Sequence, residues 1–208
     1  MTHVVLLGDS IFDNGAYTGG GPDVVTQLRP LLPSGWRATL LAIDGARTDD
    51  VVRQLGQMPE DASHLVLSVG GNDALAHGDL LDGPAASAAQ VLGFLADAAE
   101  SFQQRYRRLI DRLADRELPL TVCTVYNGNF PDPEFQRIAS TALSVFNDAI
   151  LRVAFGRGLT VIDLRLVCSE PADYANPIEP SSHGGAKIAQ AIVRAAQVSG
   201  VKATHVVR

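Results

Sequence analysis

The sequence is poor in cysteine and in positive charge. Its two cysteines, Cys123 and Cys168, stand in apolar surroundings, which excludes a framework of disulfides and favours buried free thiols. Seventeen Lys and Arg against 23 Asp and Glu give a net charge of −6. This balance argues against nucleic acids and anionic membranes as partners, because both need clustered positive charge. The one dense basic run, residues 105–108, lies in an amphipathic pattern that is typical of a solvated helix face.

Long apolar runs are also lacking. No run approaches the ~18 residues that a membrane span needs, and no signal-peptide pattern precedes the first predicted strand. We therefore expect no membrane span and a cytoplasmic location, or else a signal peptide that has been removed. With 46% apolar and 19% charged residues, the chain can form a core. Its length favours a single domain over residues 1–208, with 200–208 as a possible terminal tail.

Short apolar runs alternate with longer amphipathic stretches. The short runs predict strands at residues 4–7, 38–43, 64–69, 120–125 and 159–164. The longer stretches predict helices at 48–57, 87–116, 134–156 and 185–198, and their apolar stripes, which include Leu92, are expected to face the core. Strands separated by helices pair in parallel, so the pattern predicts an α/β fold. The carboxyl ends of the strands then meet at one edge of the sheet, where ligands bind.

Residues able to do chemistry follow these strands. Ser10 comes directly after the first strand, Gly45 after the second and Asn72 after the third, and His183 stands before the last helix. They supply a hydroxyl, a flexible backbone amide, a side-chain amide and an imidazole, which is the set needed for acyl transfer. Asp9, next to Ser10, is interpreted as a residue that locks the turn.

Each of these residues also has a structural interpretation. Ser10 is able to cap a helix, Gly45 suits a turn with positive φ, and Asn72 suits a capped turn. His183 suits the exposed first turn of a helix. Among the five histidines, however, His183 alone combines a position before the last helix with neighbouring glycines that permit a tight bend.

Taken together, these blocks resemble those of the SGNH (GDSL-type) hydrolase family. The matching residues are Gly8-Asp9-Ser10, Gly45, Gly70-Gly71-Asn72-Asp73 and His183. The resemblance implies a flavodoxin-like three-layer α/β/α sandwich with a central five-stranded parallel sheet. It also implies an esterase, lipase, thioesterase or carbohydrate deacetylase that acts on a small-molecule ester without metal or cofactor. By matching position, Ser10 is the nucleophile, the Gly45 N–H and Asn72 are oxyanion donors, and His183 is the base.

The last block departs from the family pattern. That pattern is usually Asp-x-x-His, but Pro180 occupies the Asp position and the nearest acid is Glu179, four residues before His183. Three interpretations remain open. Glu179 reaches Nδ1 of His183, or Ser10 and His183 act as a dyad, or Glu179 caps the helix and His183 is not a base.

Other functions are also considered. A catalytically weak SGNH-like protein that binds an acyl or glycan ligand is the main alternative. A flavodoxin-type nucleotide binder is disfavoured, since the first βα loop lacks a phosphate cradle that opens directly into a helix. The acyl chain, the alcohol and the oligomeric state do not follow from the sequence.

Overall fold

Five parallel strands form one sheet in the computed structural model, which describes residues 2–198. The strands are β1 (His3–Gly8), β2 (Arg37–Leu40), β3 (His64–Ser68), β4 (Leu120–Cys123) and β5 (Thr160–Ile162), in the order β2-β1-β3-β4-β5. The helices are α1 (Val24–Leu31), α2 (Val51–Leu55), α3 (Gly71–Leu75), α4 (Asp79–Asp82), α5 (Ala88–Ala114), α6 (Pro133–Arg157), α7 (Leu164–Val167) and α8 (Ser182–Val198). The strand order is that of flavodoxin-like folds, and it confirms the predicted α/β/α sandwich.

Some element boundaries differ from the predicted ones. Strand β2 ends at Leu40, because the backbone N–H groups of Leu41 and Ala42 both donate to the Leu6 carbonyl and the regular ladder stops there. Helix α1 was not predicted, since its Val-Val start and its internal Pro30 weaken the helical signal. The Asp23 side chain caps it by accepting from the Thr26 N–H at 2.7 Å. The possible tail at 200–208 lies outside the described residues.

Two apolar layers hold the sheet between the helices. Because successive side chains of a strand point to opposite faces, Val4 and Leu6 of β1 contact the cluster of α1 and α8, whereas Val5 and Leu7 contact that of α5 and α6. All four side chains are fully buried. Each contributes about 1.5–3 kcal/mol to stability relative to an exposed position. The sheet is therefore fixed from both sides, and its carboxyl edge has a defined position.

The first turns of α5 differ from the prediction. Leu92 and Phe94 are 65% and 46% exposed, so the expectation that Leu92 faces the core is wrong, and continuous burial starts near Ala98. The reason is length. A helix of 27 residues extends about 40 Å, whereas a strand of six residues spans about 20 Å. The start of α5 therefore extends beyond the sheet.

One helix of the described residues, α6, is long and apolar enough to cross a membrane by length and composition. Polar residues interrupt its sequence, so no long apolar run marks it. This is weak evidence for a span, since core helices meet the same criterion. Phe146, Ile150 and Val153 of α6 are buried in the cluster that it shares with α5, which is the position of a core helix.

Candidate active site

The turn after β1 depends on a glycine. Gly8 has a φ of +128°, and a Cβ atom there would lie 1.8 Å from the Ser68 carbonyl oxygen. The buried Gln54 amide accepts from the Gly8 N–H and donates to the Gly8 carbonyl, both at 2.8 Å. The Asp9 N–H then donates to the Ser68 carbonyl at 3.1 Å. These contacts bring β1 close to β3 and set Ser10 at the carboxyl edge of the sheet.

Asp9 holds the turn that presents Ser10. Its Oδ1 accepts from the Ile11 N–H at 3.1 Å, and the side chain is buried. Burial raises the pKa of Asp9 to about 8, and the negative charges of Glu179 and Asp73 add to the rise, while the bond from Ile11 lowers it. The carboxyl is therefore largely protonated at neutral pH. This agrees with its interpretation as a residue of the turn.

Glu179 faces Ser10. Ser10 and Glu179 line one cavity and are both buried, with 6% and 7% exposure. Burial raises the pKa of Glu179 to about 6, the nearby Ser10 hydroxyl opposes this rise, and the charge of Asp44 adds to it. Among the described residues, the buried Oε2 atom of Glu179 has no hydrogen-bond partner. A carboxylate with a pKa near neutrality thus lies beside the hydroxyl.

Asn72 and the loop after β2 are joined by hydrogen bonds. The Asn72 Nδ2 donates to the Ala46 carbonyl at 3.1 Å, which orients the amide and leaves its second N–H for a ligand. The carboxylate of the adjacent Asp73 accepts from the N–H and the hydroxyl of Thr48, both at 2.9 Å. Gly45 makes an exposed turn directly before Ala46, with a φ of +76°. Asp73 thereby fixes the second loop against the third.

A cavity of about 190 Å³ opens beside Ser10, Asn72 and Glu179. Its apolar walls come mainly from α3, α4 and α6. They include Leu75, Leu81, Phe135, Ala142, Leu143 and Phe146. Apolar space next to a few convergent polar groups is the usual form of a small-molecule site.

The structure does not bring His183 or Gly45 to this cavity; neither is among the described residues that line it. The His183 side chain is 59% exposed in the first turn of α8, with its Nε2 atom 3.7 Å from Asp173 Oδ1. This corrects the expectation that its imidazole meets Ser10. The physical reason is that the loop before α8 already places Glu179 at the cavity, and His183 follows four residues later in the first turn of α8. Among the histidines of the described chain, His77 lines the cavity.

A cluster of ionisable groups surrounds His183. Glu170, Asp173 and His183 place possible ligand atoms within 4.8 Å of one another. However, the Lys187 ammonium lies 2.9 Å from Glu170 Oε2 and 2.8 Å from Asp173 Oδ1. This cation already compensates the two carboxylates, so the cluster is interpreted as an ion-pair network rather than a metal centre.

The contacts that hold Glu179 in place were not predicted from the sequence. The buried Asn14 donates from Nδ2 to the Pro180 carbonyl at 3.2 Å and accepts at Oδ1 from the Val24 N–H at 3.0 Å. Asn14 precedes a glycine and reads as a turn residue, so nothing in its pattern indicates this role. Asn176 carried a usable signal. It stands three residues before Glu179, the spacing that Asp-x-x-His has between its carboxylate and its base.

A family model decides the relationship. The model of the GDSL-like lipase/acylhydrolase family matches residues 6–187, which include Ser10, Asn72 and Glu179. The chain belongs to this family. As a GDSL-like protein it has the hydrolase fold that the sequence blocks indicated. Comparison with curated proteins gives no significant match.

Solved structures agree with this GDSL-like fold. A lipase from a goat rumen metagenome superposes with a TM-score of 0.74 at 18% identity, covering 97% of this chain and 100% of its own. An acetyl xylan esterase gives 0.69 at 18% identity, with coverages of 93% and 98%. An extracellular lipase from Streptomyces rimosus gives 0.64 at 19%, with 96% and 100%. At these identities the likeness shows the fold of the GDSL-like chain.

Proposed function

We propose that this GDSL-like protein hydrolyses carboxylic esters through an acyl-enzyme on Ser10. The observation that carries the proposal is the position of Ser10 and Asn72 at one apolar cavity of about 190 Å³. A hydroxyl at the carboxyl edge of the sheet is accessible to an ester carbonyl, and the cavity accepts its acyl chain. Membership in a family of lipases and acylhydrolases supports this reaction class.

Ser10, Asn72 and Gly45 each have a separate role in the proposed reaction. Ser10 Oγ attacks the ester carbonyl carbon, and its proton passes to a neighbouring base. The carbonyl oxygen becomes negative and accepts from the N–H of Asn72 that Ala46 leaves unused. The backbone N–H of Gly45 remains a proposed second donor, reached by movement of its exposed turn. Collapse of the intermediate releases the alcohol, and water hydrolyses the acyl-enzyme by the same steps.

The cavity supports an acyl chain of intermediate length. A water molecule occupies about 30 Å³ in the liquid, and a methylene group occupies slightly less. A cavity of about 190 Å³ therefore takes a chain of roughly six to eight carbons. The substrate class we propose is a small ester with such an acyl group.

The experiment uses p-nitrophenyl esters and a fluorophosphonate probe. Wild-type protein is expected to hydrolyse the hexanoyl ester and to become labelled on Ser10. Ser10→Ala is expected to lose both properties, and Asn72→Ala is expected to lower kcat by about 10²–10³-fold, the usual cost of one oxyanion donor. Equal hydrolysis by the wild type and by Ser10→Ala would reject the proposal.

One observation favours a second candidate function. The exposed His183 does not line the cavity of Ser10, as would suit a protein that binds an acyl or glycan ligand without turnover. Such a protein would bind hexanoate in a calorimeter but would neither hydrolyse the ester nor take the fluorophosphonate label.

A further inference from the structure

The reaction needs a proton acceptor at the Ser10 hydroxyl, and the structure supplies a carboxylate there. We infer that Glu179 itself is the general base for Ser10, in place of the imidazole that the family pattern leads one to expect. This inference rests on the proposed function, since it names the base of that same reaction. It assigns to Glu179 direct contact with the nucleophile rather than support of a histidine.

The loop that carries Glu179 is held on several sides. The Asn176 Oδ1 accepts from the backbone N–H of Glu179 at 2.9 Å and from that of Ile178 at 3.0 Å. The Ala175 N–H donates to the Glu179 carbonyl at 2.9 Å. The Tyr126 hydroxyl donates to the Ile178 carbonyl at 2.7 Å. Because the backbone that carries it is held in this way, the carboxylate needs little reorientation when the proton moves.

The imidazoles of the described chain are placed less well. His3 hydrogen-bonds Asp61 and Thr39 at the start of β1, and His64 begins β3, so both lie at the opposite end of the sheet. His183 lies beside Asp173 and is mostly exposed. His77 lines the cavity, where its ring lies tilted by 34° beside that of Phe146, with 6.1 Å between centroids. Among the histidines that the structure describes, it alone competes with Glu179.

The charges around Glu179 suit a base. Asp9, Asp44, Tyr17 and Tyr126 face it from the ends of β1, β2 and β4 and from the first loop. Asp9, with its pKa raised to about 8, is mostly neutral at pH 7 and repels Glu179 little. Glu179, with a pKa raised to about 6, is mostly ionised at that pH. A base whose pKa lies near the working pH transfers protons efficiently in both directions.

The proton and the electron pairs balance in both half-reactions. As Ser10 Oγ bonds to the carbonyl carbon, its proton moves to Glu179, and the carbonyl π pair moves onto the oxygen. When that pair re-forms the double bond, the bond to the alcohol oxygen breaks, and Glu179 returns the proton to it. In the second half, water gives its proton to Glu179 and its oxygen to the acyl carbon, and the Ser10 oxygen leaves with the proton.

The test measures kcat/KM for p-nitrophenyl hexanoate across pH. Glu179→Gln preserves the shape of the side chain and is expected to lower kcat/KM by about 10²–10⁴-fold, the usual contribution of a general base. Glu60→Gln, at an exposed position before β3, is the matched control. His183→Ala is expected to stay within about twofold of the wild type, and His77→Ala is expected to keep the acidic limb of the profile. Circular dichroism and thermal unfolding check that each variant is folded.

A second measurement does not depend on any variant. Carboxyl groups ionise with almost no enthalpy, whereas imidazole ionises with a large one. If Glu179 is the base, the acidic inflection of wild-type kcat/KM lies near the pKa of about 6 and does not move with temperature. An inflection that moves as an imidazole does would overturn the inference.

The outcomes separate this inference from the proposed function. If Ser10→Ala is inactive and unlabelled while Glu179→Gln keeps close to wild-type activity, the inference is overturned and the proposed function stands. Loss of the acidic limb in His77→Ala or His183→Ala overturns it as well. Ser10→Ala with the wild-type rate rejects the proposed function, and the inference with it.

Discussion

The acyl cavity predicts how hydrolysis depends on chain length. Each methylene group that enters it contributes about 0.8 kcal/mol, which is a factor of about four in kcat/KM. Four methylenes separate acetyl from hexanoyl esters, so kcat/KM is expected to rise by roughly 200-fold between them. Beyond about eight carbons the cavity of about 190 Å³ is full, and the values level off.

A substitution at Ala142 tests this reasoning. Ala142 lies on α6 and lines both this cavity and the adjoining one beside Leu81 and Leu95, so it marks the end distant from Ser10. Ala142→Phe adds a ring of six carbons, about as much as the cavity is expected to hold. The rise between acetyl and hexanoyl esters should then fall from roughly 200-fold to less than about tenfold, with the acetyl ester little changed.

The assay compares p-nitrophenyl esters of two to ten carbons, each kept below the concentration at which it aggregates. Ala96→Phe, at an exposed position of α5, is the matched control and should keep the wild-type profile. An unchanged ratio of hexanoyl to acetyl hydrolysis in Ala142→Phe would refute the assignment of the cavity. A wild-type rate that falls steadily from the acetyl ester onward would refute it too.

Three further substitutions test the construction of the site. Asp9→Asn should become more stable relative to the wild type as pH rises from about 4 to 8. The reason is that the native wild-type protein, with the pKa of Asp9 at about 8, keeps a proton that the unfolded chain has lost. In urea unfolding, the difference in unfolding free energy between the two proteins should grow by up to about 1.4 kcal/mol per pH unit, and a difference that stays constant with pH contradicts this. Asn14→Ala should lower kcat about ten- to hundredfold by releasing the Pro180 carbonyl beside Glu179. Gln27→Ala loses a bond to the neighbouring Ser182 carbonyl and should leave kcat unchanged. An equal loss of kcat in both variants would argue against a role of Asn14 in positioning Glu179. Gly8→Ala should cost more than about 3 kcal/mol of unfolding free energy, because its Cβ would meet the Ser68 carbonyl oxygen. Gly45→Ala has open space around its Cβ and should cost about 1–2 kcal/mol. Similar losses of unfolding free energy at both positions would contradict the steric argument.

Much of the fold follows from local patterns. Apolar runs of four to six residues are short enough to be strands, and helical spacing between them requires parallel pairing. Glycines at the strand ends and the blocks around Ser10 and Asn72 were readable for the same reason, since backbone geometry and residue chemistry are local properties. Helix α1 was not predicted because its residues have weak helical preference and its stability comes from packing against α8.

The choice of partner for Ser10 was beyond local patterns. Glu179 and His183 stand four residues apart, and spacing alone allows either to meet a hydroxyl from another loop. The tertiary structure decides between them, because hydrogen bonds donated by Asn14 and Tyr126 and one accepted by Asn176 hold the last loop with Glu179 at the cavity. Those bonds join segments up to 166 residues apart, and such contacts leave no periodic trace. The sequence by itself therefore determined the sheet, its functional edge and the hydroxyl, whereas only long-range packing determined which side chain faces that hydroxyl.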